Sequence, residues 1–394
     1  MDLLYLAHCV PNPPDKGERI RAFYELNRLV ERHRVHLVCF ARSEADERNA
    51  RVLEDRCASV YVERHRSKIA LSLAAVRFGL GGCLTTSFYR SHRMWEYVQS
   101  LARRVRLGAS IIYSSAMAPY TPDGVPFLLD LVDVDSEKWM QYARTRFPGF
   151  AYRVEGGRLR HVETDYAKRS HFTYLSTNQE LTVFRGFAPE ALVECLENGV
   201  DFERFNPSLP LSHPELRDRS FLVFVGAMEY FPNADGVGWF AREVFPKLRR
   251  QVPGLEFFIV GRDPTPAVLR LSQEDGVAVT GAVDDIRPYV ASARAVVAPL
   301  RIARGIQNKV LEGLAMGKPV FASSAICQTF APELPMGVIS CPTPEDFVAS
   351  IAAQLPPRAC VDSAIREAAM RRFSWDRNLD LLSAALDSLA VSPH

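Results

Sequence analysis

No apolar segment of the 394-residue chain approaches the roughly 20 residues needed to span a bilayer, which argues against an integral membrane protein. No basic leader precedes the apolar run Leu3-Leu4-Tyr5-Leu6, so a secretory signal peptide is not expected. The eight cysteines (Cys9, Cys39, Cys57, Cys83, Cys195, Cys327, Cys341 and Cys360) are scattered without close pairs. Neither a zinc site nor a disulfide framework is suggested, and a reducing cytoplasm fits best. Nine histidines show no metal-ligand spacing to one another, so no metal is expected. No Gly-x-Gly-x-x-Gly follows the first apolar run, which removes the main sign of a nicotinamide dehydrogenase. An excess of one charge is lacking too: 48 basic against 46 acidic residues leave a net charge of +2, with no global reason to expect nucleic acid.

What is present is the composition of a soluble globular protein, 47% apolar and 24% charged, in a chain long enough for two domains with their own cores. Short apolar runs recur at Leu3 to Ala7, Val35 to Phe40, Val60 to Val62, Ile111 to Ser114, Phe127 to Leu131 and Phe172 to Leu175, with helix-like segments between most of them. After a turn-rich crossing around Asn198-Gly199-Val200-Asp201, the pattern restarts at Phe221 to Val225, Phe257 to Val260, Val277 to Thr280, Ala295 to Leu300 and Val320 to Ala322. Alternation of this kind predicts an α/β protein with two doubly wound domains, whose ligands sit beyond the carboxyl ends of the strands. Domains are expected over 1–197 and 198–372, with 373–394 as a closing helix.

The most informative stretch is Arg304-Gly305-Ile306-Gln307-Asn308-Lys309-Val310-Leu311-Glu312-Gly313-Leu314-Ala315-Met316-Gly317-Lys318-Pro319. Gly305 permits a sharp turn after a strand, and Gly317 with Pro319 marks a helix end. Val310, Leu311, Leu314 and Ala315 recur at helical spacing and would face a sheet. The start of such a helix has free N–H groups and the positive end of the dipole, suited to phosphate. Lys309 adds a cation, and Glu312 offers two acceptor oxygens to vicinal hydroxyls. Phosphate followed by sugar hydroxyls is the order of groups along a nucleotide sugar. An ordinary strand, helix and strand with a solvated Glu312 has the same spacing.

Other strand ends carry further candidates. Pro11-Asn12-Pro13-Pro14-Asp15-Lys16-Gly17-Glu18-Arg19 is a Pro-stiffened loop opening a helix with a stripe at Ile20, Phe23, Asn27 and Val30. Lys16, Arg19 and Arg21 are candidate anion contacts there, against the alternative of a basic helix start with no ligand. Phe127-Leu128-Leu129 leads into Asp130-Leu131-Val132-Asp133-Val134-Asp135-Ser136; an extended chain puts Asp133 and Asp135 on one side, where each would raise the other's proton affinity. A helix cap explains Asp135 or Ser136 but leaves Asp133 over. Between Arg64 and Arg106 nine Lys and Arg residues face a single acid, Glu96, interleaved with Leu71, Leu73, Phe78, Leu80, Phe88 and Trp95. That mixture suits an element lying on anionic lipid, or else a solvated basic face.

The Lys309, Glu312, Ala315, Gly317, Pro319 and Val320 pattern resembles the donor-binding signature of family-4 glycosyltransferases. The Asn198-Gly199-Val200-Asp201 crossing with Phe205 and Pro207, the Pro-rich loop with Gly17, and Phe373-Ser374-Trp375-Asp376 are similar to that family's hinge, phosphate loop and closing segment. The chain departs from the pattern at Arg304, where the family has an acidic residue, and at Asp133, where it often has a histidine. A Gly-Arg start with a downstream Lys is also missing after Gly226. The resemblance implies the GT-B fold, two facing Rossmann-like domains with a cleft between them. Asp133 and Asp135, by their place at a strand end, and Glu312, by the resemblance, are the candidate catalytic residues. Lys16, Gly17, Arg19, Gly226, Arg262, Val283, Asp285, Arg304, Gly305, Ile306, Gln307, Lys309 and Glu312 become the donor-binding set, with Lys309 and Arg301 or Arg304 replacing the missing cations.

The implied activity is metal-independent, retaining transfer from a UDP- or GDP-sugar co-substrate, with no other cofactor, to a glycan or lipid-linked acceptor, in the cytoplasm at the inner face of the plasma membrane. Pro-Pro-Asp-Lys-Gly, Asp-Val-Asp-Ser-Glu-Lys-Trp and Gly-Ile-Gln-Asn-Lys resemble a bacterial subgroup associated with exopolysaccharide and exosortase (PEP-CTERM) systems. A nucleotide-sugar epimerase of the same fold, or a transferase-like assembly partner without activity, shares these features.

Overall fold

The structure is a computed structural model that describes residues 1–391 apart from Lys16, Arg146 and Ser212. The chain divides into two compact units, one of Met1–Glu197 joined by the chain from Asn378 onward, the other Asn198–Arg377. The first unit holds seven strands: β1 (Asp2–Ala7), β2 (Arg34–Ala41), β3 (Ser59–Arg64), β4 (Leu107–Tyr113), β5 (Phe127–Val132), β6 (Phe172–Leu175) and β7 (Val193–Cys195). They form one parallel sheet in the order β3-β2-β1-β4-β5-β6-β7.

The second unit holds six: β8 (Phe221–Val225), β9 (Glu256–Val260), β10 (Val277–Gly281), β11 (Ala295–Ala298), β12 (Val320–Ala322) and β13 (Val338–Ser340). Their order is β10-β9-β8-β11-β12-β13, again parallel. Both sheets reverse direction beside their first strand, the switch point where α/β sheets present ligand crevices. This is the expected α/β fold of two doubly wound domains. Central strands such as β8 are buried throughout, while the edge strand β3 is half-buried and carries Ser59, Glu63 and Arg64. A strand covered on both faces must be apolar at every position, and an edge strand need not be. The three-residue strands β7 and β13 were not foreseen, because Glu194 and Ser340 leave neither of them a continuous apolar run such as marks the equally short β12.

In the first unit the helix Gly17–Val30 does not bury the stripe expected of it. Ile20, Phe23, Asn27 and Val30 are half-buried, whereas Arg21, Ala22, Glu25, Leu26 and Leu29 face the sheet. The face is charged because its charges are neutralised in place. Arg21 Nε and Nη2 donate to the two Asp130 oxygens at 2.6 and 2.8 Å, and Nε also to Glu25 at 3.1 Å. Nη1 meets the Leu196 carbonyl at 2.6 Å, and Tyr5 donates to Glu25 at 2.8 Å.

In the second unit Val200 N–H donates to the Phe373 carbonyl at 2.9 Å. A Cβ on Gly199 would lie 2.7 Å from the Trp375 ring, so the crossing and the closing segment pack through a position that only glycine fits. The last helix, Trp375–Val391, starts here, and Asn378 then donates to the Glu197 carbonyl at 3.0 Å in the first unit. Among the described residues no helix is long and apolar enough to cross a membrane, no group of three or more metal-ligating side chains is assembled, and every cysteine is free.

Candidate functional site

The helix following β11 runs over Asn308–Ala315, with Val310, Leu311, Leu314 and Ala315 all buried. Gly305, at φ 62°, turns the chain out of the sheet, and Ile306 anchors the turn with its buried side chain. At the other end Gly317 N–H donates to Leu314 O at 2.9 Å and Lys318 N–H to Gly313 O at 3.0 Å, the paired bonds of a Schellman cap with φ 64° at Gly317. Gly313 is pressed so close to the sheet that a Cβ would lie 2.9 Å from Val296 and 3.2 Å from Val320. The helix is therefore fixed in depth and in rotation. At its start, Gln307 occupies the cap position without a side-chain capping bond. Donors that most helices satisfy with Ser, Thr, Asp or Asn are thus available to a ligand.

Three strand-end loops of this unit interlock near Gly226. Gly226 N–H donates to Val260 O at 3.0 Å and Met228 N–H to Arg262 O at 2.9 Å, so the sheet ladder continues past β8. A Cβ on Gly261 would sit 1.7 Å from the Gly226 carbonyl oxygen, and one on Gly226 would sit 2.7 Å from Asn233 Nδ2. Asn233, held by its bond to Ala227 O at 2.9 Å, presents Oδ1 to Lys309 Nζ at 3.3 Å. Lys309 also reaches Gln307 Oε1 at 3.3 Å and lies over the Phe224 ring at 5.1 Å. The backbone start of one helix, a lysine and a glycine loop thus converge within one unit.

Electrostatics make this convergence unusual. Burial lowers Lys309 to about 8, with Glu312 opposing the shift. Burial pushes the Glu312 carboxyl up to about 7, against the pull of Lys309 and of Arg204. Both groups therefore titrate near neutrality, and each could be returned to full charge by a partner of opposite sign or by a hydrogen-bonding ligand. Asn233, Phe224 and Arg204 were not singled out from the sequence. Asn233 lies seven residues past a glycine in a loop without a motif, and Arg204 belongs to the crossing, so no local pattern marks either.

Other candidates are placed differently. Arg301 is paired through two donors with Asp235, Nε to Oδ2 at 2.8 Å. Arg304 is half-buried and its carbonyl accepts from Gln307 Nε2 at 3.0 Å. Arg262 is half-buried beside Asp263, at 3.7 Å. Val283 packs against the core of the unit. Burial alone would raise the Asp285 carboxyl, but bonds from the Arg287 side chain and backbone outweigh it and hold it below its usual range.

In the first unit Lys16 lies outside the described residues, and Gly17 opens the helix Gly17–Val30 with free space around its Cα. Arg19 is buried and bonded to Asp46 at 2.7 Å and Asp15 at 3.4 Å. Arg21, a candidate anion contact by sequence, is instead a fully buried member of the Asp130 network.

Asp133 and Asp135 follow β5. The chain does not stay extended there: Val132 takes φ 66° and Asp135 already begins the helix Asp135–Thr145. Asp133 accepts from Ser176 Oγ at 2.8 Å. Its carboxyl is raised chiefly by burial; Ser176 opposes the rise, and the neighbouring Asp135 adds less to it than the sequence suggested. The loop is held from beneath by two buried glutamates that no motif announced. Glu180 accepts from Val134 N–H at 2.7 Å, and Glu163, pushed up to about 8 by burial, accepts from Ser136 N–H at 3.0 Å.

Residues 219–355, most of the second unit, match the family model described as "Glycosyl transferases group 1". No curated protein matches the chain in sequence. Among solved structures, HepE of Anabaena in complex with UDP and glucose superposes with a TM-score of 0.66 at 15% identity, covering 98% of this chain and 100% of that one. A sucrose-phosphate synthase from Thermosynechococcus elongatus gives 0.67 at 14% identity, with 100% of each chain covered. WaaG, a glycosyltransferase involved in lipopolysaccharide biosynthesis, gives 0.61 at 14%, again over 100% of both chains. At such identities the likeness is one of fold.

Proposed function

We propose that the chain is a glycosyltransferase that moves a sugar from a UDP- or GDP-linked donor to a glycan or lipid-linked acceptor, with retention of configuration and without a metal ion. The observation that carries the proposal is the pairing of an uncapped helix start with Lys309 and Glu312 inside the segment that matches the group 1 family model. A diphosphate placed against Asn308 and Lys309 meets backbone donors and a cation. Its negative charge would raise Lys309 back towards full protonation, and that charge grows as the bond to the sugar breaks. Glu312, one turn on, accepts the two hydroxyls of a ribose. Binding in turn favours its ionised form, because hydrogen bonds to a carboxylate stabilise the charge.

The assignment gives Gly226 the role of letting backbone approach the donor, with Gly261 making room for the Gly226 carbonyl. Asp133, with its raised proton affinity, has the character of a group that takes a proton from an acceptor hydroxyl, and Asp135 is its charged neighbour. HepE, which shares the fold, is described in complex with UDP and glucose, in keeping with a donor of that class. A place in bacterial exopolysaccharide synthesis, at the inner face of the plasma membrane, belongs to the same proposal. The test is incubation with UDP- and GDP-sugars and acceptor extract in the presence of EDTA. Nucleotide release that disappears in Glu312→Ala supports a transferase. A changed sugar still attached to its nucleotide would instead identify an epimerase, and tight nucleotide binding with no turnover an inactive assembly partner.

A further inference from the structure

The helix Ser67–Gly79 presents an apolar stripe that nothing covers. Ile69, Leu73, Val76 and, one residue past its end, Leu80 recur at spacings of four, three and four, so they share one face, and they are 54%, 50%, 63% and 83% exposed. An adjoining face, Ala70, Ala74, Arg77 and Phe78, is turned inward, with Ala74 fully buried. The element is firmly mounted. Arg158 Nη1, on the helix Gly149–Arg169, donates to the Phe78 and Gly82 carbonyls at 2.6 and 2.8 Å, and its guanidinium lies 4.6 Å from the Phe78 ring centre.

Glu155 of the same helix accepts from the Leu84 and Thr85 backbone donors at 2.6 and 2.8 Å. Phe150 and Val154 continue the Arg158 row at helical spacing and are themselves 72% and 39% exposed, and Phe147 just before them is 96% exposed. A monomer in water rarely leaves four large apolar side chains along one helix face without a partner.

We infer that this face, built by Ile69, Leu73, Val76 and Leu80, docks the first unit onto an anionic lipid bilayer. Charge decides between a bilayer and a second copy. Arg66 and Lys68, at the start of the same helix, are exposed, and among the described residues neither of them is in an ion pair. From Arg64 to Arg106 the chain carries one acid, Glu96. Two such faces would repel one another, whereas a surface of phosphatidylglycerol attracts each Lys or Arg by about fivefold in binding and takes the apolar row into its headgroup boundary. Docking of this kind would bring the proposed transferase to a lipid-linked acceptor, and in that respect rests on the reading above; the surface itself does not.

The test is flotation of the full chain with vesicles of phosphatidylcholine alone and of phosphatidylcholine with phosphatidylglycerol. A thermal shift with UDP and GDP, taken without vesicles, reports the fold and the donor site separately. We expect the protein to float only with the anionic vesicles and to be released by added salt. Ile69→Glu/Val76→Glu should bind at least tenfold more weakly, and Arg66→Glu/Lys68→Glu likewise, both with an unchanged nucleotide shift. A wild-type chain that stays at the bottom of the gradient, or a Glu pair that floats equally well, overturns the inference. A wild-type dimer that becomes monomeric in Ile69→Glu/Val76→Glu, without vesicle binding by either, overturns it in favour of self-association. Flotation without any nucleotide shift leaves the docking face standing and removes the donor assignment.

Discussion

Each unit withdraws cationic and acidic side chains from solvent on one helix, and the two sets differ in what surrounds them. Arg21 is fully buried, with its donors divided among Asp130, Glu25 and a backbone carbonyl, and Glu25 has Tyr5 as a further partner. Lys309 and Glu312 are half-buried on one face of a helix, with only two side-chain amide contacts at 3.3 Å for the lysine. The first arrangement is saturated in hydrogen bonds: its guanidinium is held charged, well above its usual range, because burial is outweighed by Asp130 and Glu25, while burial and the neighbouring Asp130 raise the Glu25 carboxyl well above its own. The second is incomplete, and burial has moved both groups towards neutrality. Buried charge with all its partners is framework, while buried charge that lacks them is poised for a ligand.

Breaking the saturated cluster should have the largest effect. Arg21→Ala leaves Asp130 and Glu25 buried without their cation, and a loss of about 3–5 kcal/mol is expected, enough to unfold the first unit. Denaturant unfolding measures it; a change below about 1 kcal/mol would show that the cluster is not framework. Lys309→Ala should do the reverse, leaving stability nearly unchanged while weakening nucleoside-diphosphate binding more than tenfold, or about 1.4 kcal/mol. Calorimetric titration decides, and equal affinities would break the contrast.

Glu312→Gln sharpens it through pH. A folded-state carboxyl near 7 against the ordinary 4.5 means that wild-type stability is full below 4.5, falls as the pH rises, and is lowest above 7. The amide does not titrate, so the variant should match the wild type near pH 4.5 and exceed it by about 1–2 kcal/mol above pH 7, after allowance for solvent screening. Thermal melts at the two pH values test the sign. The smallest expected effect is on binding in the wild type. Glu312 ionises near 7 and Lys309 loses its proton near 8, so nucleoside-diphosphate affinity should rise towards pH 7 and decline as the pH passes 8. A decline that persists in Lys309→Ala would assign the titration to another group.

Much of the second unit was legible because its signals are local. Gly305, Gly317 and the apolar spacing of Val310, Leu311, Leu314 and Ala315 each depend on neighbours within a few residues, and the helix sits where they place it. The first unit's helix was misread for the opposite reason. A row containing Arg21 and Glu25 looks solvated until Asp130, more than a hundred residues away, is brought alongside it. Asn233 and Arg204 at the candidate site, and Glu163 and Glu180 beneath Asp133, escaped notice for the same cause.

By itself, then, the sequence determined the two parallel sheets, the crossing at Asn198 and the helix that carries Lys309 and Glu312. All of these follow from backbone stereochemistry and the burial of short apolar runs, which act over a few residues. Only the tertiary structure decided which charges became framework and which remained open. Desolvation and charge pairing depend on groups far apart in the chain, and no local pattern records who will neutralise whom.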